Sequence, residues 1–164
     1  MRLRTIYKNI VEALLKACQS FYGDGLVSFC IFGSVGRGTM NDTSDVDFLV
    51  VAEGLPDGRI NRVRDMGAVE RALQPLLREA QKQSVYVELS PVLKTPAEVK
   101  MGSLLFLDML DDGEILFDRD GFLQNCFDEF RARLKELGAK RVRRGEAWYW
   151  ILKEAYEPGE IFTI

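Results

Sequence analysis

The chain has 164 residues, 47% of them apolar and 29% charged, with a formal net charge of −3. That balance suits one compact globular domain and excludes a disordered or fibrous chain, while the slight acidity gives no global drive towards nucleic acid. No apolar run is long enough to span a bilayer and the patterned N-terminus lacks the continuous apolar stretch of a secretion signal, so no membrane role and a cytoplasmic location are expected.

Leu3, Ile6, Tyr7, Ile10, Leu14, Cys18 and Phe21 recur at three- and four-residue spacing and predict an amphipathic helix over 3–21, stopped by Gly23 and Gly25. Leu26 to Phe32 and Val46 to Val51 are short apolar runs with the character of strands buried on both faces. A turn at Pro56-Asp57-Gly58 leads to a helix from Ile60 to about Gln81, with Pro75 as a kink or break. Val85 to Leu89 returns to strand character, Pro96 opens a helix through Val99 to Leu110, and Asp111-Asp112-Gly113 makes a turn. Glu114 to Phe117 reads as a strand and Phe122 to Leu137 as a helix ended by Gly138. Strands alternating with helices predict an α/β or α+β fold, a short mixed sheet with helices packed on one face. Residues 1–164 read as one domain, with a core over about 1–118 and a C-terminal helix and tail over about 119–164.

There is no histidine, which excludes Ser-His-Asp and Cys-His catalysis and leaves acid–base work to carboxylates, lysine or tyrosine. Cys18, Cys30 and Cys126 form no CxxC pair and read as buried apolar filler. The chemistry concentrates in Phe32-Gly33-Ser34-Val35-Gly36-Arg37-Gly38-Thr39 and the following Asp45-Val46-Asp47. Gly33 and Ser34 at the end of a strand let amides and a hydroxyl approach a phosphate, and Arg37 can offset triphosphate charge or brace the loop through a carboxylate such as Asp42. Asp45 and Asp47 sit two apart on a strand, so their side chains leave the same face about 7 Å apart along the chain. Two carboxylates so placed can converge on magnesium ions that take their other ligands from water and substrate phosphates. The glycines at 33, 36 and 38 do not make GxGxxG and no Walker lysine follows, so dinucleotide-fold and P-loop readings are weak.

Gly33-Ser34, a spacer from Val35 to Ser44, then Asp45-Val46-Asp47 resembles the signature of the nucleotidyltransferase superfamily that includes DNA polymerase beta. Gly-Ser-x-Gly-Arg-Gly in so short a chain is similar to the minimal nucleotidyltransferases often encoded beside a HEPN-domain partner, and the tail from Gly145 to Trp150 with Pro158-Gly159-Glu160 looks like the ends of some stand-alone members. The resemblance implies the nucleotidyltransferase fold, two magnesium ions, and ATP or another nucleoside triphosphate as substrate. It also implies transfer of a nucleoside monophosphate, AMP above all, to a hydroxyl, with the acceptor on a HEPN-type toxin of a toxin–antitoxin pair. Members often carry a third carboxylate on a neighbouring strand, as metal ligand or base. Glu88, interrupting Val85-Tyr86-Val87 and Leu89, is the matching candidate, with a glutamate where an aspartate is commoner.

Asp45, Asp47 and Glu88 are thus the expected catalytic and metal-binding set, and Gly33, Ser34 and Arg37 the nucleotide-binding set. Two other functions stay open: nucleotidylation of a small molecule such as an antibiotic, and a non-catalytic nucleotide- or partner-binding module. Basic residues from Arg131 to Arg144 beside Trp148, Tyr149 and Trp150 are read as a solvated helix face with aromatics pinning the tail, in preference to a site for RNA or an acidic partner.

Overall fold

The computed structural model describes residues 2–145 and 147–153. The chain begins with α1 (Arg2–Tyr22), whose stripe Tyr7, Ile10, Val11, Leu14 and Cys18 is buried, followed by β1 (Leu26–Phe32). A single helical turn, α2 (Gly33–Gly36), separates β1 from β2 (Val46–Ala52). Next come α3 (Arg59–Lys82), β3 (Leu89–Lys94), α4 (Pro96–Lys100), α5 (Phe106–Asp112), β4 (Glu114–Asp118) and α6 (Phe122–Glu136). Two strands close the described chain, β5 (Lys140–Arg144) and β6 (Ala147–Ile151).

The main sheet has the order β3-β2-β1-β4. β1 runs antiparallel to both neighbours and β2 parallel to β3, so the sheet is mixed, as expected. Both central strands are buried almost throughout, and alternation divides their side chains between two cores. Phe29, Ile31, Phe48 and Val50 meet the stripes of α1 and α3. Cys30, Phe32, Leu49 and Val51 meet Val99 of α4, Phe106 and Met109 of α5, and Leu123, Phe127 and Phe130 of α6. Helices therefore cover the second face as well as the single face expected, because β1 and β2 carry apolar residues on both faces, with Ser28 and Asp47 as the exceptions. A register shift between Leu26 and Ser28 rephases β1, which lets Leu26 and Phe29 share one core although they are three residues apart.

Several boundaries differ from the sequence reading. The third strand starts at Leu89 and not at Val85, since β2 begins only at Val46, whose partner is Leu89. Residues 85–88 lie before that ladder, where the Tyr86 amide donates to Asp42 O. Pro91 obscured the strand in the sequence, yet β3 is an edge, where a missing N–H is tolerated. α3 runs unbroken through Pro75, with Met66, Val69 and Leu73 buried on one side of it and Ala80 on the other, so packing outweighs the roughly 3 kcal/mol cost of an interior proline. The expected long helix after Pro96 divides into α4 and α5, the chain turning at Gly102 (φ +80°). Asp111 and Asp112 end α5 and do not form a free turn.

The basic run is also not one helix face. Arg131, Arg133 and Lys135 belong to α6, while Lys140–Arg144 is a strand that pairs antiparallel with Ala147–Ile151. Trp150 packs against the second core, as a pinning aromatic would. Glu146 and the tail residues Pro158, Gly159 and Glu160 lie outside the described residues. Among the described residues no helix is long and apolar enough to cross a membrane.

One ion pair joins α3 to the start of α4. Arg62 donates to both oxygens of Glu98, at 2.8 and 3.0 Å, and to Leu93 O, while Glu98 accepts from the Thr95 amide in a capping box. The Arg62 side chain and the Thr95 amide hold the Glu98 carboxyl down at about 2, against an ordinary 4.5. A depressed acid stabilises the fold above its unfolded value, and that contribution is lost as pH falls through the folded one. Glu98→Gln keeps a cap acceptor but loses the charge. In thermal melts it should destabilise the protein at neutral pH by on the order of 1 kcal/mol or less, the pair being partly exposed, and the two melting curves should converge as pH falls from 4.5 to about 2.

Candidate active site

The antiparallel register of β1 and β2 places Phe32 opposite Asp47. Gly33 follows Phe32 directly, so the chain leaves β1 across the Asp47 side chain. Gly33 has φ +66°, and a Cβ there would stand 2.3 Å from Asp47 Oδ2. Only glycine allows both the left-handed backbone and this approach. The loop then makes one helical turn, which leaves its leading amides without intrahelical acceptors. It is closed by Arg37 N–H donating to Gly33 O at 3.0 Å and Thr39 N–H to Ser34 O at 2.9 Å. Gly36 is fixed by contact, for a Cβ there would lie 2.4 Å from Asp112 O at the end of α5.

Asp45 and Asp47 are held from three sides. Tyr7, fully buried on α1, directs its hydroxyl at Ser44 O (2.7 Å) and Asn41 O (3.0 Å). The Val46 amide donates to Glu88 O at 2.9 Å, and the Tyr86 amide to Asp42 O at 2.7 Å. Inside this loop Asn41 Oδ1 accepts from the Thr43 amide and hydroxyl, and the Asn41 amide donates to Ser44 Oγ. Tyr7 was absent from the sequence-derived set. Its signal was an aromatic hydroxyl inside a buried helical stripe, which must find an acceptor.

Burial pushes the Asp47 carboxyl above the ordinary aspartate range; the Ser90 hydroxyl bond opposes this, the Asp45 charge adds to it and Arg37 again opposes it. Ser90, paired with Asp47 across the β2–β3 ladder, is a second residue the sequence reading missed. Glu88 stands just before β3 and is exposed; with Asp45 and Ser90 it lines one end of a groove of about 790 Å³ along the edge of the sheet. Ser34 is half-buried on the loop. Arg37 is braced by the carboxylate of Asp112 at 2.8 Å. Asp112 also lies 3.7 Å from Arg141 of β5, whose other nitrogen pairs with Asp111 at 2.7 Å. The loop, α5 and the terminal hairpin thus meet at one carboxylate.

Two stability changes test this geometry. Gly33→Ala should destabilise the fold by roughly 1–3 kcal/mol, and part of that loss should return when Asp47→Ala is added in the same chain, because the clash is between those two positions. A raised carboxyl pKa means that the Asp47 charge subtracts from stability above that pKa, and that the penalty fades as pH falls through it. Asp47→Asn should therefore melt at the same temperature as the parent or higher at neutral pH, with the difference disappearing in acid.

The nucleotidyltransferase domain model matches residues 11–101, a span that contains α2, β2 and β3. A putative protein adenylyltransferase of Methanocaldococcus jannaschii is 30% identical over 145 residues, covering 85% of this chain and 91% of that protein. Two solved structures are more distant. One, a toxin-antitoxin with AMP-PNP, is 18% identical with a TM-score of 0.42, covering 77% of this chain and 91% of its own. The other, the toxin-antitoxin MntA-HepT, is 17% identical with a TM-score of 0.41, covering 80% and 92%. The match to the family model, over more than half of the chain and across the whole Gly33-to-Ser90 site, makes this chain a member of the nucleotidyltransferase domain family.

Proposed function

We propose that the protein moves the AMP moiety of ATP onto a hydroxyl of another protein, using magnesium and releasing pyrophosphate. The acceptor we assign is a tyrosine of a HEPN-type toxin, which the modification silences. The observation that carries the reading is the meeting of the Gly33–Ser34 turn with the Asp45–Asp47 pair, so close that a single methyl group at Gly33 would strike Asp47. Family membership and the name of the 30% identical relative support it.

The donor set suits magnesium. Among the described residues no three or more His, Cys, Asp or Glu form a ready-made cage, and magnesium binds through one or two carboxylates with the rest of its shell from water and phosphate oxygens. Held by Asp45 and Asp47, two such ions would neutralise the triphosphate and make the acceptor hydroxyl easier to ionise, while Glu88, which forms no three-carboxylate group with them, would serve as proton acceptor. The amides of α2 and the Ser34 hydroxyl orient the phosphates, with Arg37 held by Asp112 beside them. A bond forms between the acceptor oxygen and the α-phosphorus as the bond from that phosphorus to its bridging oxygen breaks. Pyrophosphate leaves with the electron pair, and the acceptor proton passes to Glu88 or to water. Such a transfer depends chiefly on positioning and charge neutralisation.

A second reading, nucleotidylation of a small hydroxylated molecule, is favoured by the groove volume of about 790 Å³, which lies within the range of small-molecule sites. One experiment separates the two. Incubation with ATP, magnesium and a HEPN-type toxin protein should add about 329 Da per modified site, the mass of AMP less water, and Asp45→Asn or Asp47→Asn should reduce the addition to background while leaving the fold intact. An unmodified partner beside an efficiently adenylylated small molecule would replace the first reading with the second.

A further inference from the structure

The groove that begins at Asp45 and Glu88 continues along the outer edge of β3 and has opposite charge at its two ends. Arg62 on the first turn of α3 donates to Leu93 O near the end of β3, whereas Glu70, two turns later, lines the groove with Glu88. α3 and β3 therefore run in opposite directions along the two walls. Asp45, Glu70 and Glu88 collect at the catalytic end, and Arg59, Arg62 and Lys94 gather around Glu98 at the far end. Arg62 is committed to Glu98. Arg59 and Lys94 are in no ion pair among the described residues, although Lys94 lies near enough to Glu98 to help hold its carboxyl down. Between the ends the walls carry apolar side chains open to solvent, Val63 at 47% exposure and Leu105 at 37%, with Ile60 beside them at 85%.

The sheet edge itself does not invite another strand. Because the Val46 amide donates to Glu88 O, the parallel ladder turns residues 88, 90, 92 and 94 towards β2 and residues 89, 91 and 93 outward. Of the outward groups, Pro91 has no N–H and Leu93 O is taken by Arg62. An occupant is thus held by side chains in the groove and not by strand addition.

We infer that this groove binds the acceptor as an extended polypeptide segment, with the hydroxyl residue at Asp45 and Glu88, apolar side chains against Val63 and Leu105, and an acidic side chain at Arg59 and Lys94. The inference rests on the protein-modifying reading above and adds to it the sequence character of the acceptor. The six residues of β3 span roughly 17–20 Å, which puts the acidic residue about five positions from the acceptor hydroxyl. Charge complementarity at the far end and continuity with the catalytic carboxylates select this occupant over a basic or a nucleic-acid one.

The test reads binding and transfer separately. A fluorescent peptide with a central tyrosine, leucine-rich flanks and glutamate about five residues to either side is compared by anisotropy with the same peptide carrying lysine at those positions. The glutamate peptide should bind the wild-type protein, and Arg59→Glu with Lys94→Glu should weaken it about tenfold while the lysine peptide gains. Arg59→Glu alone, on the open surface, should give a smaller loss in the same direction and serves if Lys94→Glu disturbs Glu98. Asp45→Asn should lose the transfer. Equal binding of the two peptides, or unchanged binding in the Arg59→Glu variants, overturns the inference even if AMP transfer is efficient; so does an oligonucleotide that binds there and displaces the peptide. Failure of transfer to any protein, with a small molecule modified instead, overturns the functional reading and this inference with it.

Discussion

The structure turns on the antiparallel pairing of β1 with β2, which sets Phe32 against Asp47 and brings the next residue, Gly33, over the Asp47 carboxylate. Every other site feature is placed relative to that contact. A slip of one residue in either strand would send Asp47 to the opposite face, among the stripes of α1 and α3, and separate the turn from the acid it serves. Both strands are buried on two faces, so the cores that fix the fold also fix this register. The same packing desolvates Asp47, which explains a carboxyl that ionises less readily than an ordinary aspartate.

Around this centre the fold supplies braces and leaves one side open. Tyr7 ties α1 to the loop before Asp45, and Asp112 ties Arg37 to α5 and to Arg141 of the hairpin. These contacts surround the loop with rigid elements, which is what a site that works by positioning requires. The open side is the edge of β3, where Pro91 and the Arg62-capped carbonyl of Leu93 blunt strand addition and leave a groove whose walls differ in charge along their length.

Much of this was legible in the sequence because it is encoded locally. Leu26–Phe32 is the observed β1, α1 and α3 lie where their periodicity puts them although Phe21, Ile60 and Val63 are exposed, and Gly33-Ser34 with Asp45 and Asp47 stands out by residue type and spacing. What was missed depends on partners distant in sequence. β3 begins at Leu89 because Val46 is its partner, so the hydrophobic run from Val85 pointed four residues too early. For Arg37 the sequence offers a phosphate contact or a nearby brace such as Asp42, while a carboxylate that holds it is Asp112, 75 residues on. The hairpin of β5 and β6 hid behind basic residues that resemble a solvated helix face, although Gly145 before the aromatic run carries a turn signal. Tyr7 and Ser90 belong to the site only through contacts that no spacing rule reports.

The proposed function requires that the Gly33 turn and the Asp45–Asp47 pair form one nucleotide and metal site. The most direct measurement is paramagnetic broadening of amide NMR signals when manganese is added together with a non-hydrolysable ATP analogue. Broadening centred on residues 33–36, 45–47 and 88–90, falling off with distance from them and lost in the Asp45→Asn, Asp47→Asn double variant, is the result the account predicts. Broadening centred elsewhere in the wild-type protein, or a pattern that the double variant leaves unchanged, would contradict it.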